Sequence, residues 1–343
     1  MISKVEIYDN RNDIWYDVSK TVSDMTITTE LDGKAGTLKF TILALDTIAF
    51  YEGATVAVYG TNDTLIFKGY VFKKSRKGSN AREIDVTAYD MVKYLGYKDS
   101  FVFTEGQTIE ERFNEVCEKH ALPHKVIDTD STALDKYISY EDTLYNAIEK
   151  GLEQVFDQTR KRLMIRDNNG TLELANVLSY YTPYILGDNS YVTDFSYASD
   201  IDSQTYNYIK VINTGDDDTV TASYEFTDPS TVKQWGLLSD VVTLNTNDPD
   251  YIEKYGKAYL NVHNTVNRTL KIEALGIEDF HAGTVFRVRI SDLGDFKYDA
   301  LVVVNKCQHK YKGDQHTMTL DCEMATDDSG QILYKGETTG EEE

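Results

Sequence analysis

The chain has 343 residues, of which 41% are hydrophobic and 12% aromatic, so it is long enough for two or three globular domains and is not intrinsically disordered. Its formal net charge of −22 excludes ordinary nucleic-acid binding, because phosphate contacts need clustered lysine and arginine. Three cysteines are too few for a disulfide framework, and no apolar run is long enough to predict a transmembrane helix.

The first 96 residues follow a strand pattern. Residues 5–8, 25–29 and 38–42 alternate apolar and polar side chains, and Gly, Asp and Asn residues form turns between them. Evenly spaced short strands indicate a small β-barrel or β-sandwich over residues 1–96. Because the chain enters its first strand without an apolar signal segment, we expect synthesis and folding in the cytoplasm.

The pattern changes near residue 97. Thr108 is a helix cap, and the apolar spacing after it predicts a helix that ends near His120. A second helix is predicted from Tyr140 to about Phe156, followed by a hairpin over residues 163–174. Two helices and a hairpin predict an α/β insert over residues 97–186.

Strand patterns return near Tyr191. Residues 207–212 and 219–226 are predicted strands of a second β domain over residues 187–326. Prolines that open helical patterns predict a helical excursion at about 228–265 within this domain. The last segment, residues 327–343, is acidic and polar and is predicted to be a flexible tail.

One β-module occurs twice in this sequence. Each copy contains a Thr-Leu-Lys-apolar strand, a Phe-x-x-Gly turn and two strands separated by a Lys-Gly turn. The repeat predicts a mainly β fold in which two related β domains carry an α/β insert and helical insertions. The matched segments are 37–40 with 269–272, 50–56 with 280–285, 67–74 with 302–311, and 83–90 with 316–323.

Two groups of residues have the side chains of a metal site. Cys117, His120 and His124 stand at suitable intervals, but Cys117 falls on the apolar face of its predicted helix and no fourth ligand is specified. Cys307 and Cys322 stand near two histidines in a predicted hairpin.

A two-residue turn at Gly313-Asp314 would pair Tyr311 with His316, His309 with Met318, and Cys307 with Leu320. In this register Cys322 lies diagonal to Cys307 and the histidines are one rung apart. Packing on one strand face explains the set, so neither group is assigned a metal.

No motif for catalysis or cofactor binding is present. The acidic turn Asp216-Asp217-Asp218 lacks the spacing of a calcium loop, and no nucleophile elbow, phosphate loop or dinucleotide fingerprint occurs. The sequence therefore predicts no catalytic, cofactor-binding or metal-binding residue, and a chain that is not an enzyme.

Several segments resemble phage tail hub proteins. Residues 197–211 (YASDIDSQTYNYIKV) look like their S-I-x-D-x-Y-N-x-V-x-V segment, and residues 228–238 (DPSTVKQWGLL) are similar to their D-x-x-S-I-x-K-Y-G-x-L helix. Residues 275–285 resemble their L-G…G-D-x-V strands, and residues 309–320 match their closing H…H-T-M-T-L hairpin. The order of these motifs resembles baseplate hubs of the PBSX-prophage type, which are related to late-control D proteins and the central hub of contractile tails.

The resemblance implies a structural baseplate hub that joins a sixfold tail tube to a threefold spike. It implies two tube-type β-barrel domains in each chain, over residues 1–96 and 187–326, and a homotrimer of such chains. The expected partners are the tube protein, the spike protein, other baseplate proteins and the tape measure protein. The expected location is the baseplate of a virion or tail-like particle made in the bacterial cytoplasm. DNA is expected to pass the lumen without specific binding, and the acidic composition predicts a negatively charged lumen. No membrane partner is expected.

Two alternative functions remain open. The first is a tail hydrolase of peptidoglycan or another glycan, which would use scattered carboxylates. The second is a β-rich carbohydrate-binding module, in which some of the 25 tyrosines would stack on sugars. Clustering of tyrosines in an open groove would favour the binding module.

Overall fold

The chain folds into a mainly β structure, as the sequence predicts. No helix in the described part of the chain is long and apolar enough to cross a membrane. The computed structural model describes residues 1–44, 48–77, 82–159, 161–188, 190–202, 205–215, 219–244, 249–291 and 298–324, apart from the side chains of residues 77, 157 and 298.

The described part of the N-terminal half contains seven strands. They are β1 (Lys4–Asp9), β2 (Ile14–Asp17), β3 (Val22–Glu30), β4 (Thr37–Leu43), β5 (Thr55–Tyr59), β6 (Leu65–Lys77) and β7 (Glu83–Tyr89). In β4, Leu38, Phe40 and Ile42 are buried and Lys39 faces outward, because successive side chains of a strand point to opposite faces. The inward side chains of β1 and of β3 to β7 meet in one hydrophobic core.

An α/β insert follows the first half. Its elements are α1 (Val92–Leu95), β8 (Lys98–Phe103), α2 (Ile109–Lys119), β9 (His124–Val126), β10 (Tyr137–Thr143), α3 (Leu144–Thr159), β11 (Leu163–Asp167) and β12 (Leu172–Asn176). Thr108 caps α2 as predicted: its hydroxyl accepts from the Glu111 amide while the Glu111 carboxylate accepts from the Thr108 amide. Helices α1, α2 and α3 and strands β8, β11 and β12 share a core of their own.

The second helix begins four residues later than predicted. Residues Tyr140 to Thr143 belong to β10, which pairs antiparallel with β8. The apolar positions that predicted the helix, from Leu144 to Val155, do lie in α3 and are buried. The error arises because the partner strand of β10 lies more than thirty residues away in the sequence.

Among the described residues of the C-terminal half, six strands belong to the large sheet. They are β13 (Tyr181–Gly187), β14 (Val192–Asp200), β18 (Asn267–Leu275), β19 (Val285–Ile290), β20 (Tyr298–Lys312) and β21 (Gln315–Met324). Their buried side chains, together with Phe280, form another core. The two halves share one sheet, in which the strands follow the order β14-β18-β21-β20-β3-β4-β7-β6-β5-β1-β2, with β19 beside β20 and β13 beside β19.

A small separate sheet stands between β14 and β18 in the sequence. Its elements are β15 (Tyr208–Thr214), β16 (Val220–Thr227), α4 (Pro229–Trp235), β17 (Ser239–Leu244) and α5 (Pro249–His263). The predicted helical excursion thus contains a strand, β17, which runs parallel to β15. Helix α5 packs against this sheet over Ile209, Val211 and Ile252. The predicted tail lies outside the described residues.

Candidate assembly surface

The two halves contain the same five-stranded module. In the first module the strand order is β3-β4-β7-β6-β5, and in the second it is β14-β18-β21-β20-β19. Every neighbouring pair in both modules is antiparallel. The likeness ends at the next strand, because β1 pairs antiparallel with β5 whereas β13 pairs parallel with β19.

The modules also share a tight turn before β5 and β19. Gly53 and Gly283 both have a φ of +87°, a backbone conformation that favours glycine. Each donates a 2.7 Å hydrogen bond, from Gly53 N to Val71 O and from Gly283 N to Val304 O. The repeated glycine therefore has a conformational reason in both copies.

A β-bulge occurs at the same place in both modules. The register shifts between Val71 and Lys73 where β6 pairs with β7, and between Val304 and Lys306 where β20 pairs with β21. A bulge re-aims the strand that contains it. Lys73 and Lys306 are therefore equivalent positions, the first after the bulge.

Strands β3 and β20 join the two modules. They pair antiparallel from Lys306 opposite Glu30 to Lys312 opposite Asp24. Lys306 Nζ lies 3.1 Å from Glu30 Oε2, and Gln308 Nε2 donates to Thr28 Oγ1 at 3.3 Å. The pairing and these side-chain contacts hold the modules side by side in one continuous sheet.

Two further contacts cross this junction outside the strand ladder. Ala282 N donates to Thr29 Oγ1 at 2.9 Å, and the carboxylate of Glu278 accepts from Thr61 N at 2.9 Å and from the amino group of Met1 at 2.6 Å. Burial of Glu278 opposes its ionisation, but the hydrogen bonds from Met1 and Thr61 outweigh it and hold the pKa of Glu278 below its ordinary value.

The outward face of the shared sheet carries charges of both signs. Lys271, Asp321, Lys306 and Glu30 occupy consecutive positions across β18, β21, β20 and β3. Opposite charges on neighbouring strands attract each other, whereas like charges directly opposite repel. This part of the face is therefore mixed in charge, and it does not concentrate the acidity of the chain.

The predicted hairpin at Gly313-Asp314 is present. Tyr311 lies opposite His316, His309 opposite Met318 and Cys307 opposite Leu320. Gly313 has a φ of +55°, as a two-residue turn requires. The predicted register of this hairpin is therefore confirmed.

The histidines of this hairpin lie in contact, although they occupy different rungs. His309 Nδ1 is 2.9 Å from His316 Nε2, and His309 Nε2 is 2.8 Å from the carbonyl oxygen of Phe280. Diagonal neighbours on a strand face can reach each other when their side chains are long or aromatic. Burial lowers the pKa of His309, and it lowers that of His316 to about 4, so both rings are neutral at neutral pH.

The residues singled out as metal ligands have other surroundings. Cys117 is buried in the core of the insert, His120 Nε2 is 3.0 Å from an Asp99 carboxylate oxygen, and His124 Nδ1 is 2.8 Å from Leu122 O. Within the described ranges, no group of three or more His, Cys, Asp or Glu residues is placed to hold a metal ion. The turn Asp216-Asp217-Asp218 lies outside those ranges.

Two carboxylates, which sequence reasoning missed, line a small cavity between the modules and the insert: Asp90 is buried and Asp167 is half-buried. Burial and the nearby Asp167 carboxylate raise the pKa of Asp90, and burial raises that of Asp167 to about 6. Val92 N donates to Asp90 at 3.0 Å, and Gly170 N donates to Asp167 at 3.0 Å. The cavity of about 70 Å³ has room for a few water molecules but not for a sugar ring.

Tyrosines of α5 form a stacked row. The ring centroids of Tyr251 and Tyr255 are 6.2 Å apart, and those of Tyr255 and Tyr259 are 5.8 Å apart. Tyr255 and Tyr259 pack on the core of the small sheet, and the Tyr259 hydroxyl donates to Asp240 at 2.9 Å. Tyr255 and Tyr259 therefore serve the packing of α5 on the small sheet.

Residues 25–323 match the sequence profile described as YQBQ-like. The chain belongs to the YQBQ-like family. This YQBQ-like chain is 26% identical over 275 residues to the phage-like element PBSX protein XkdQ of Bacillus subtilis strain 168, an alignment that covers 79% of this chain and 81% of that protein. The predicted resemblance to PBSX-type tail proteins is confirmed.

Solved tail proteins share the fold of this YQBQ-like chain. The tail protein of Neisseria meningitidis MC58 is similar with a TM-score of 0.71 at 14% identity, over 96% of this chain and 98% of that one. The 43 kDa tail protein of prophage MuSo2 from Shewanella oneidensis is similar with a TM-score of 0.68 at 12% identity, over 93% and 98%. The family and these folds support a structural protein of the phage tail and baseplate type.

Proposed function

We propose that this chain is the baseplate hub of a contractile phage tail or tail-like particle. In this role it is a symmetry adapter that joins the sixfold tail tube to the threefold spike. The observation that carries the proposal is the presence, in one chain, of two copies of one five-stranded module joined through β3 and β20. A duplicated module has a direct use in symmetry matching, whereas no catalytic step needs one.

Three such chains would present six similar modules around one axis. The modules then match a sixfold tube, while the parts that differ between the copies, such as the insert and the small sheet, follow the threefold axis. Closed rings also cover strand edges that would otherwise attract other chains. We therefore propose a homotrimer.

The partners follow from this position. The tube protein would contact the ring of modules, and the spike protein would contact the threefold side, with other baseplate proteins and the tape measure protein nearby. The protein would be located in the baseplate of a particle assembled in the bacterial cytoplasm. The outward sheet face would line the channel, and its alternating charges offer no extended positive surface to hold DNA.

We propose domains with the boundaries expected from the sequence, at residues 1–96, 97–186 and 187–326, with an acidic tail at 327–343. The separate hydrophobic cores of the N-terminal half, the insert and the C-terminal half support three domains, whereas α1 in the insert core and β13 beside β19 favour boundaries a few residues earlier. The small sheet, with a core of its own, would form a further unit inside the third domain.

A non-enzymatic role agrees with the surroundings of the candidate catalytic groups. Asp90 and Asp167 are held by backbone amides in a cavity too small for a sugar, and Tyr255 and Tyr259 of α5 pack on the core of the small sheet. Neither arrangement favours the hydrolase or the carbohydrate-binding module.

The test is the mass of the purified chain in solution, alone and mixed with the tube and spike proteins from the same particle. Light scattering should give the mass of three chains. Averaged electron micrographs should show a ring with threefold symmetry and six similar lobes. A chain that stays monomeric and binds neither protein contradicts the proposal. Release of sugars from purified peptidoglycan, lost in an Asp167→Asn variant, would favour the hydrolase.

A further inference from the structure

The edges that join one chain to the next can be identified from the junction inside the chain. We propose that the second half of β6 pairs antiparallel with β14 of a second copy of this chain, with Lys73 opposite Asp200. The inference rests on the proposed ring and adds which strands meet and in which register.

The first edge is on β6. In β20, the side opposite β21 is shared by two strands: β19 borders residues 298–303 and β3 borders residues 306–312. In β6, the side opposite β7 is bordered by β5 along residues 65–70. Among the described residues no strand continues this side beyond the bulge, where β3 would lie by analogy with β20.

The second edge is on β14. Strand β3 stands between β4 and β20, and its counterpart β14 stands beside β18, the counterpart of β4. Strand β14 ends the order of the shared sheet in the described part of the chain. In the described residues, each module thus has one open strand edge. The equivalent edge of the other module is covered, because it lies in the junction between β3 and β20.

A groove marks the place of the missing strand. It has a volume of about 310 Å³ and lies between residues 48–51 and residues 74–76. In the other module, the corresponding space beside residues 280–282 and 307–309 is occupied by β3, whose Thr29 accepts from Ala282 N. The groove in the first module therefore lies at the position that β3 occupies in the second module.

The register follows from equivalent positions. The shared bulge makes Lys73 the counterpart of Lys306. Phe40 and Ile272 are counterparts in the repeat; Met25 lies opposite Phe40 and Phe195 lies opposite Ile272. Met25 and Phe195 are therefore counterparts. Glu30 and Asp200 each lie five residues further along these strands, so they are counterparts as well. Since Lys306 lies opposite Glu30, Lys73 should lie opposite Asp200.

The chemistry of both edges agrees with this register. Lys73 and Asp200 repeat the signs of the ion pair between Lys306 and Glu30, whose charged atoms are 3.1 Å apart. Asp200 accepts from Asn267 Nδ2 at 3.2 Å, and a carboxylate can accept from further donors.

A second match lies beside the groove. Inside the chain, Ala282 N donates to Thr29 Oγ1. In the proposed interface, the equivalent hydrogen bond would join Glu52 N to Ser199, which also has a hydroxyl group. Phe195, on the open strand, is 37% exposed in the single chain and would be covered. Both features suit a second copy of the chain.

The experiment is a disulfide trap in the register predicted. Ser75 and Ala198 should face each other across the interface, as Gln308 and Thr28 do inside the chain. The double variant Ser75→Cys/Ala198→Cys, oxidised under conditions in which the wild type is a trimer, should give covalent dimers and trimers and no larger species on a non-reducing gel. The matched control is Ser75→Cys/Ser196→Cys, which shifts one cysteine by two residues on the same strand face and should link far less.

A charge exchange gives a second readout. Lys73→Glu and Asp200→Lys should each weaken trimer formation several-fold in light scattering, and combining the two in one chain should restore it. A trimer that forms normally while the Ser75/Ala198 pair fails to link, or links no better than the control, overturns the register and leaves the hub proposal standing. A wild-type chain that forms no trimer alone or with tube and spike proteins overturns both.

Discussion

Gly53 and Gly283 occupy the same position in two turns of one chain. Their φ angles are equal at +87°, and each amide donates a 2.7 Å hydrogen bond to a valine carbonyl, Val71 or Val304. The turns follow Phe50 and Phe280, both of which are buried. Backbone geometry has thus been retained in the two modules at a position where only glycine is unstrained.

The two glycines should differ in their tolerance of a side chain. Gly53→Ala should lower the free energy of unfolding by about 1–2 kcal/mol, the cost of a left-handed backbone for alanine. Gly283→Ala should cost more, because its Cβ would lie 2.4 Å from Met164 Cε whereas that of Gly53 has open space. Urea unfolding measures both. In a Met164→Ala background the extra cost at Gly283 should disappear, and an unchanged difference would contradict the steric explanation.

The cap of α2 should contribute measurably to stability. Thr108→Ala removes the hydroxyl that accepts from the Glu111 amide, and we expect it to lower the free energy of unfolding by about 1 kcal/mol. Thr108→Ser keeps the hydroxyl and is the matched control. Equal losses for the two variants would show that the cap is not the cause.

Asp167 should make stability depend on pH. Burial raises its pKa to about 6 in the folded chain, above the value of about 3.9 for an unfolded aspartate. The folded state therefore binds this proton more tightly, and its contribution is lost as the pH rises from about 4 to 6. Asp167→Asn should remove this dependence, so its stability relative to the wild type should increase over that window by roughly 2–3 kcal/mol. A difference in unfolding free energy between the variant and the wild type that stays constant between pH 4 and 7 would contradict this prediction.

The three cysteines should be unreactive in the folded protein. Cys117, Cys307 and Cys322 are buried, and burial raises the pKa of the Cys117 thiol to about 12. Because the thiolate is the reactive form, a thiol reagent should modify far fewer than three groups per folded chain and all three after unfolding. Rapid modification of the native chain would contradict this prediction. It would also mean that the cysteines introduced for the disulfide experiment are not the only reactive thiols.

The sequence by itself determined the features that depend on neighbours along the chain. Thr108 caps α2 because capping involves residues three apart, and the turn at Gly313-Asp314 sets the register of β20 and β21 because a two-residue hairpin loop leaves one pairing. The repeat was also predictable from local sequence, because the turns at Gly53 and Gly283 need glycine and this residue type is visible in the sequence.

Only the tertiary structure decided which distant segments meet. Residues Tyr140 to Thr143 have a helical pattern but join β10 because β8 is available, and β17 forms beside β15 in a segment predicted to be helical. The junction between Lys306 and Glu30 joins strands almost at opposite ends of the chain. Strand pairing depends on a partner that the local sequence does not specify, so the covered and open edges of the two modules became visible only in the folded chain.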